Sequence, residues 1–266
     1  MVAPLVDTHA HLADSSFDAD RGEVLRRATA AGVTAVLTVA EHLEDSRRCL
    51  ALAAEFPQVL AAAGLHPQAA EEKAADDAMA FIRGASDRLV AIGEVGLDFW
   101  ISQDEAAREV QRAVFERFAL LSVELDLPLN VHSRSAGRQA IEQLLRVGAR
   151  RVQMHAFDGR AATAMPAVDA GFLFSIPPSI VRSRQKQKLV ERLPLSCLLL
   201  ESDSPALGPD PTARNEPANL RVAVRAIAEI TGVSEAEVRA STWENAVRLY
   251  GSRLTAASGF PTTGSP

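Results

Sequence analysis

Six side chains able to bind a metal ion recur along the chain, each at or just past the end of a short apolar run: His9, His11, Glu94, His132, His155 and Asp203. The runs are LV (Leu5, Val6), RLVAIG (88–93), PLNV (128–131), RRVQM (150–154) and SCLLLES (196–202). Residues two apart on a strand point to the same side, so His9 and His11 can grip one ion together. Neutral imidazole is a common ligand for divalent transition metals. Glu94 lies between Gly93 and Gly96 in IGEVGLDFW, where glycine permits close backbone approach. A carboxylate has two oxygens and can bridge two cations. Asp203 follows LLLES, and Glu201 shares its side of the strand, within reach of a ligand histidine. Asp7 reads as structural support.

A lone histidine or strand-end glutamate is more often structural than catalytic. Matched positions on successive apolar runs reverse that reading. Three or four histidines with two carboxylates exceed the four ligands of a tetrahedral zinc. They suit two divalent ions ~3.5–4 Å apart, an arrangement that stabilises both the attacking and leaving oxygens of a displacement at phosphorus.

Six further loop residues are candidates for holding substrate: His66 in GLHP, Asp98, Arg134, Arg160, and Arg214 with Asn215 in RNEP. Arg forks onto phosphate oxygens bidentately. The basic run Arg182, Arg184, Lys186, Lys188 reads first as a solvated face, with a phosphate-backbone contact as the sharper reading. No nucleophile elbow, phosphate-binding GxxxxGK[ST] loop or dinucleotide GxGxxG stands at a strand–helix turn. One Tyr and two Trp offer little for a base-stacking platform.

The elements that must position these groups alternate. Eight strand-like runs appear, the remaining three at 33–39, 59–63 and 171–175. Helical periodicity fills 23–31, 44–56, 76–85, 104–125, 136–147, 161–170 and 185–192. Two more helices follow the last strand, at 220–230 and 234–250. Ser234 and Glu237 form a capping-box signature. This alternation predicts a parallel sheet with helices outside, closed into a (β/α)8 barrel over 1–251. Catalytic groups of such barrels sit at the C-terminal strand face. The Ser-, Thr-, Gly- and Pro-rich stretch 252–266 is expected to be a disordered tail.

The 266 residues carry a net charge of −6, a poor global field for duplex DNA, so local cations must hold any phosphate. Two distant cysteines give no disulfide framework, and a reducing, cytoplasmic setting is expected. No signal peptide or membrane span is read. A monomer is expected.

DTHAHL, GLHP, IGEVGLD, NVHSRSAG, HAFDG and LLLESDSP occur in this order, and together they resemble the TatD family of metal-dependent deoxyribonucleases. The resemblance runs from about Val6 to Tyr250. Longer stretches, among them FSIPPSIVRS and RNEP, are similar to the third animal paralogue of that family. Two departures stand out: AFDG where many members have CFSG, and Ser202 where Thr is usual. Both spare the ligand positions.

The resemblance implies a metallo-hydrolase barrel with the same six ligands. In it Glu94 bridges, one ion takes His9, His11 and Asp203, and the other takes His132 and His155. It also implies Mg²⁺- or Zn²⁺-supported cleavage of DNA, often exonucleolytic; Mn²⁺ is a further candidate. The expected activity is therefore phosphodiester hydrolysis, with Asp203 and Glu94 catalytic and Asp203 taking the water's proton. Two rival readings are a metal-dependent hydrolase of another ester, a lactone or an amide, and a metal-stabilised binding protein without turnover. The absence of a lysine at the end of the fourth strand favours the nuclease.

Overall fold

The computed structural model describes residues 2–260. Eight strands alternate with helices in the order β1 (Leu5–Ala10), α1 (Arg21–Ala30), β2 (Val33–Thr38), α2 (Leu43–Glu55), β3 (Val59–Ala63), α3 (Glu72–Ala85), β4 (Ala91–Gly96), α4 (Glu105–Leu125), β5 (Leu129–His132), α5 (Gly137–Arg146), β6 (Val152–Met154), α6 (Ala161–Asp169), β7 (Leu173–Ile176), α7 (Arg184–Val190) and β8 (Leu198–Leu200). Three helices follow: α8 (Leu220–Thr231), α9 (Glu235–Tyr250) and α10 (Ser252–Ser258).

Neighbouring strands pair in sequence order, all parallel. The ring closes between β8 and β1, where Thr8 Oγ1 donates to Leu200 O at 2.9 Å and Asp203 N donates to His9 O at 2.9 Å. The fold is the (β/α)8 barrel that the alternation predicts.

Its strands are buried on both faces, which is why they read as continuous apolar runs rather than alternating ones. Most helices begin within a residue or two of the expected starts, while α3 begins at Glu72, four residues before the expected Asp76. Asp104 accepts from Ala107 N at the start of α4, and Ser234 with Glu237 closes a capping box on α9.

Two irregularities in the strand ladder coincide with the chemistry. The β1–β2 register breaks between Asp7 and Ala10, the stretch that holds His9. The β4–β5 register breaks between Ile92 and Val95, the stretch that holds Glu94. A register break of this kind re-aims a side chain and locally raises twist. Gly96 is required there: its φ is +149°, and a Cβ would sit 1.9 Å from His132 O.

The segment 252–258 departs from the expected disordered tail. It forms α10, with Leu254 fully buried, packed against α9, β2 and β3. Phe260 meets Trp243 edge to face. Burial of these apolar side chains outweighs the turn-forming composition around them. The rest of the expected tail, 261–266, lies outside the described residues. Among the described residues no helix is long and apolar enough to cross a membrane.

Candidate metal centre

All six expected ligands meet at the C-terminal end of the barrel strands. His9 and His11 come from the end of β1, Glu94 from β4 and His132 from the last position of β5. His155 follows β6 directly, and Asp203 lies three residues past β8. Five of the six line one cavity of about 580 Å³, together with Glu41, Asp45, Arg48, His66, Asp98 and Arg134. His9 sits beneath it, fully buried.

The donor spacing is tight. His9 Nε2 lies 3.2 Å from His11 Nε2, 3.4 Å from Asp203 Oδ1 and 3.6 Å from Glu94 Oε2. His11 Nε2 is 3.4 Å from the same Asp203 oxygen and 3.5 Å from the same Glu94 oxygen. Four donors ~2.1 Å from a common tetrahedral centre stand ~3.4 Å apart. His9, His11 and Asp203 offer three donor atoms all within 4.8 Å of one another, as do His9, Glu94 and His155, and each trio is close enough to hold a cation. A second group, His132 Nδ1, His155 Nε2 and His66 Nε2, surrounds the other Glu94 oxygen at 2.7, 3.8 and 3.9 Å.

Tautomers sort these histidines. Asn130 Nδ2 donates to Thr8 O, so its Oδ1 is free to accept from His9 Nδ1 at 2.8 Å. Glu201 Oε2 accepts from His155 Nδ1 at 2.8 Å, and its Oε1 accepts from Ala156 N. Asp98 Oδ2 accepts from His132 Nε2 at 2.9 Å. Each of these three rings thus keeps one nitrogen lone pair for the cavity. Hydrogen bonding of this kind fixes ring orientation and raises ligand basicity. His66 is the opposite case: its Nδ1 accepts from Gln68 N, which places the proton on Nε2 and turns a donor toward the site.

The electrostatics ask for positive charge. Burial holds the His9 and His66 imidazoles down at about 4, so both are neutral at pH 7. Burial also opposes protonation of His11 and His132. Even so, the Asp203 hydrogen bond with nearby Glu94 lifts His11 to about 9, and Asp98 with Glu94 lifts His132 to about 10. Against the cost of burial, surrounding histidines hold the Glu94 and Asp203 carboxyls below their usual range. A divalent cation satisfies the charge that protons supply here.

Backbone strain gathers at the same rim. Ser135, Ala156 and Asp203 adopt φ of +57°, +40° and +53°, each just past a strand end. Non-glycine residues in this region cost free energy and cluster at functional sites. The Ala156 peptide is clamped from both sides, its N–H by Glu201 and its carbonyl by Lys186 Nζ at 2.9 Å. Lys186 is buried, so the basic run 182–188 is not one solvated face.

The substrate candidates divide. His66, Asp98 and Arg134 line the cavity. Asp98 has no oxygen to spare, however: Oδ1 accepts from Trp100 N and Ile101 N while Oδ2 holds His132. Both oxygens are thus engaged within the protein, one of them on a candidate ligand. Arg160 is exposed at the start of α6 and does not line the cavity. Arg214 forks onto Asp20, and Asn215 Nδ2 donates to Ser202 O and Ala206 O. The RNEP polar groups thus stitch the chain to itself, and neither Arg214 nor Asn215 lines the cavity.

Sequence reasoning missed Glu41, Asp45 and Arg48. The signal was present, since Glu41 follows the apolar β2 run in the same way that the ligands follow theirs. Asn130, two positions before His132, was also missed.

A family model described as TatD related DNase matches residues 6–251. The human protein named Deoxyribonuclease TATDN3 is 45% identical over 258 residues, covering 92% of this chain and 94% of that one. Mouse TATDN3 is 49% identical over 259 residues, covering 92% and 88%. The crystal structure of YJJV, a TatD homologue from Escherichia coli, superposes with a TM-score of 0.86 at 27% identity, covering 94% of this chain and 99% of that one. The chain belongs to the TatD-related DNase family.

Proposed function

We propose that this protein is a metal-dependent deoxyribonuclease that hydrolyses phosphodiester bonds from accessible strand ends at a two-ion centre. The observation that carries the reading is the pair of donor trios that meet at the His9 imidazole, His9–His11–Asp203 and His9–Glu94–His155, with the second Glu94 oxygen facing His132 and His155. Such a set exceeds what one ion needs and leaves a cavity open above it.

Divalent cations there would supply Lewis acidity toward the scissile phosphate and acidify water. The chain supplies the rest. Glu94 offers one oxygen to each half of the site. Asp203, a carboxylate at neutral pH, takes the proton of the attacking water at its outer oxygen. His66, neutral and protonated on Nε2, donates to a phosphate oxygen. Arg134 adds a guanidinium at the cavity wall. An imidazole-rich set favours Zn²⁺, and its carboxylates also admit Mn²⁺ or Mg²⁺.

The ligands are recessed: His9 is 0%, Glu94 2% and His155 6% exposed. A single strand or a chain end enters such a recess, whereas an intact duplex keeps its phosphates outside. We read the enzyme as a cytoplasmic monomer; two buried free thiols support the reducing compartment. The test uses purified protein with 3′- and 5′-labelled single-stranded and nicked DNA across Mg²⁺, Mn²⁺ and Zn²⁺, beside a panel of lactones and amides. Shortening from one labelled end supports the reading. Turnover confined to lactones or amides overturns it.

A further inference from the structure

Trp100 has 57% of its surface exposed and is followed in the chain by Ile101, 40% exposed, which lines the cavity. It is the one aromatic among the exposed large apolar side chains of the described residues. Exposure of such a ring has a solvation cost, and the surroundings show that it is held rather than loose. Its backbone N–H donates to Asp98 Oδ1 at 3.0 Å, as does that of Ile101 at 2.9 Å. The other oxygen of the same carboxylate holds His132. The ring position is therefore tied, through one side chain, to a ligand of the candidate metal centre. Phe99 N donates to Arg134 O, which joins the two loops.

One face of the indole is already covered. The Arg134 guanidinium carbon lies 3.6 Å from the ring centroid. Arg134 and Ile101 both line the cavity. The arrangement is a flat aromatic surface, backed by a cation, next to the place where a phosphate would sit. A cation over an aromatic face is favourable in itself and pre-sets the ring's orientation. Every nucleobase offers a π-face, so stacking on such a ring is tolerant of sequence. The composition of the chain argues against a stacking platform built from many aromatics. Placement makes one tryptophan sufficient.

We propose that Trp100 is the stacking face for a nucleobase of the strand whose phosphate occupies the metal centre, with Arg134 holding the ring and meeting the backbone. The proposal rests on the reading of the protein as a nuclease. It adds a specificity: substrates bearing bases near the cleaved bond bind better than bare sugar-phosphate chains.

The test compares wild type, Trp100→Ala and Trp100→Phe on two single-stranded oligonucleotides of one length. One carries thymines throughout, and the other carries tetrahydrofuran sugars without bases at the cleaved end. Trp100→Ala should raise KM for the base-bearing strand about tenfold, with kcat within about twofold, and leave KM for the base-free strand unchanged. Trp100→Phe should recover most of the loss. Equal KM shifts on both strands would mean that the ring only supports Arg134 and would overturn the proposal, as would no shift on either. A second readout needs no turnover. Tryptophan emission, measured without divalent ions, should be quenched by a phosphorothioate thymine strand in wild type and not in Trp100→Phe. If wild type cleaves neither strand, the nuclease reading fails, and the quenching experiment still decides the stacking. Absence of quenching overturns it.

Discussion

His9 and His155 stack face to face, their ring centroids 3.6 Å apart and their planes within 9°. They come from β1 and the end of β6, on different arcs of the barrel. Each is pinned from behind, His9 by Asn130 and His155 by Glu201, so both Nε2 atoms aim into one site. Two parallel imidazoles at this distance are held by their hydrogen bonds and by what their lone pairs share.

Glu201→Gln should weaken metal binding by ~10–100-fold, the usual cost of losing an outer hydrogen-bond partner of a ligand histidine. Glu201 also accepts from Ser175 Oγ and Ala156 N, so some loss of melting temperature should accompany it. Competition titration against a metal-sensitive dye checks the affinity. Unaltered affinity would remove Glu201 from the account.

Asp203→Asn and Glu94→Gln should fail differently. An amide at position 203 keeps a ligating oxygen but cannot take a proton, so metal content should persist while turnover falls by ~10²–10⁴. An amide at position 94 bridges two cations poorly, so metal should be lost first. Metal stoichiometry and turnover, measured on the same preparations, separate the two. Near wild-type turnover in a fully loaded Asp203→Asn protein would place the base elsewhere.

Arg134→Ala and Arg214→Ala should also part company. Loss of one phosphate contact at Arg134 should weaken single-stranded DNA binding about tenfold and reduce its salt slope by about one charge. Arg214 forks onto Asp20, stacks over Phe17 and does not line the cavity, so its removal should leave DNA affinity unchanged. Fluorescence anisotropy at several salt concentrations reads both. A weaker complex with Arg214→Ala would restore its place at the substrate.

Burial pushes the Cys49 and Cys197 thiols up to about 12, so neither is a thiolate at pH 8. Both are also buried, at 0% and 5% exposure. The folded protein should react with an aromatic disulfide reagent at pH 8 far more slowly than the denatured chain, which should release two equivalents. Rapid labelling of the native state would show that one of these sites opens.

The barrel was legible because a parallel strand buried on both faces has to be written in apolar residues, and each ligand interrupts such a run at its C-terminal end. Glu201 was legible for the same reason as His9 and His11, since residues two apart share a side of a strand. The roles of Arg214 and Asn215 were not legible. Arg214 finds its partner Asp20 at a separation of 194 positions, and nothing local in RNEP reveals a contact that distant. The role of Asp98 depends on His132, 34 positions away, and on two backbone N–H groups of its own loop. Trp100 is the converse case: composition counts aromatics, but only the folded loop shows which one stays exposed against a cavity-lining arginine. The helix at 252–258 was hidden because a single leucine and a distant aromatic partner carry its packing.

The central claim is that the six converging side chains form a divalent-metal centre that cleaves DNA. The most direct measurement titrates chelator-stripped protein with Zn²⁺, Mn²⁺ or Mg²⁺ and follows metal content and cleavage of labelled single-stranded DNA in the same samples. The account predicts no cleavage in excess chelator, then activity rising with bound metal and saturating near two ions per chain. Cleavage that persists in excess chelator, or fully loaded protein that leaves DNA intact with every metal, would contradict it.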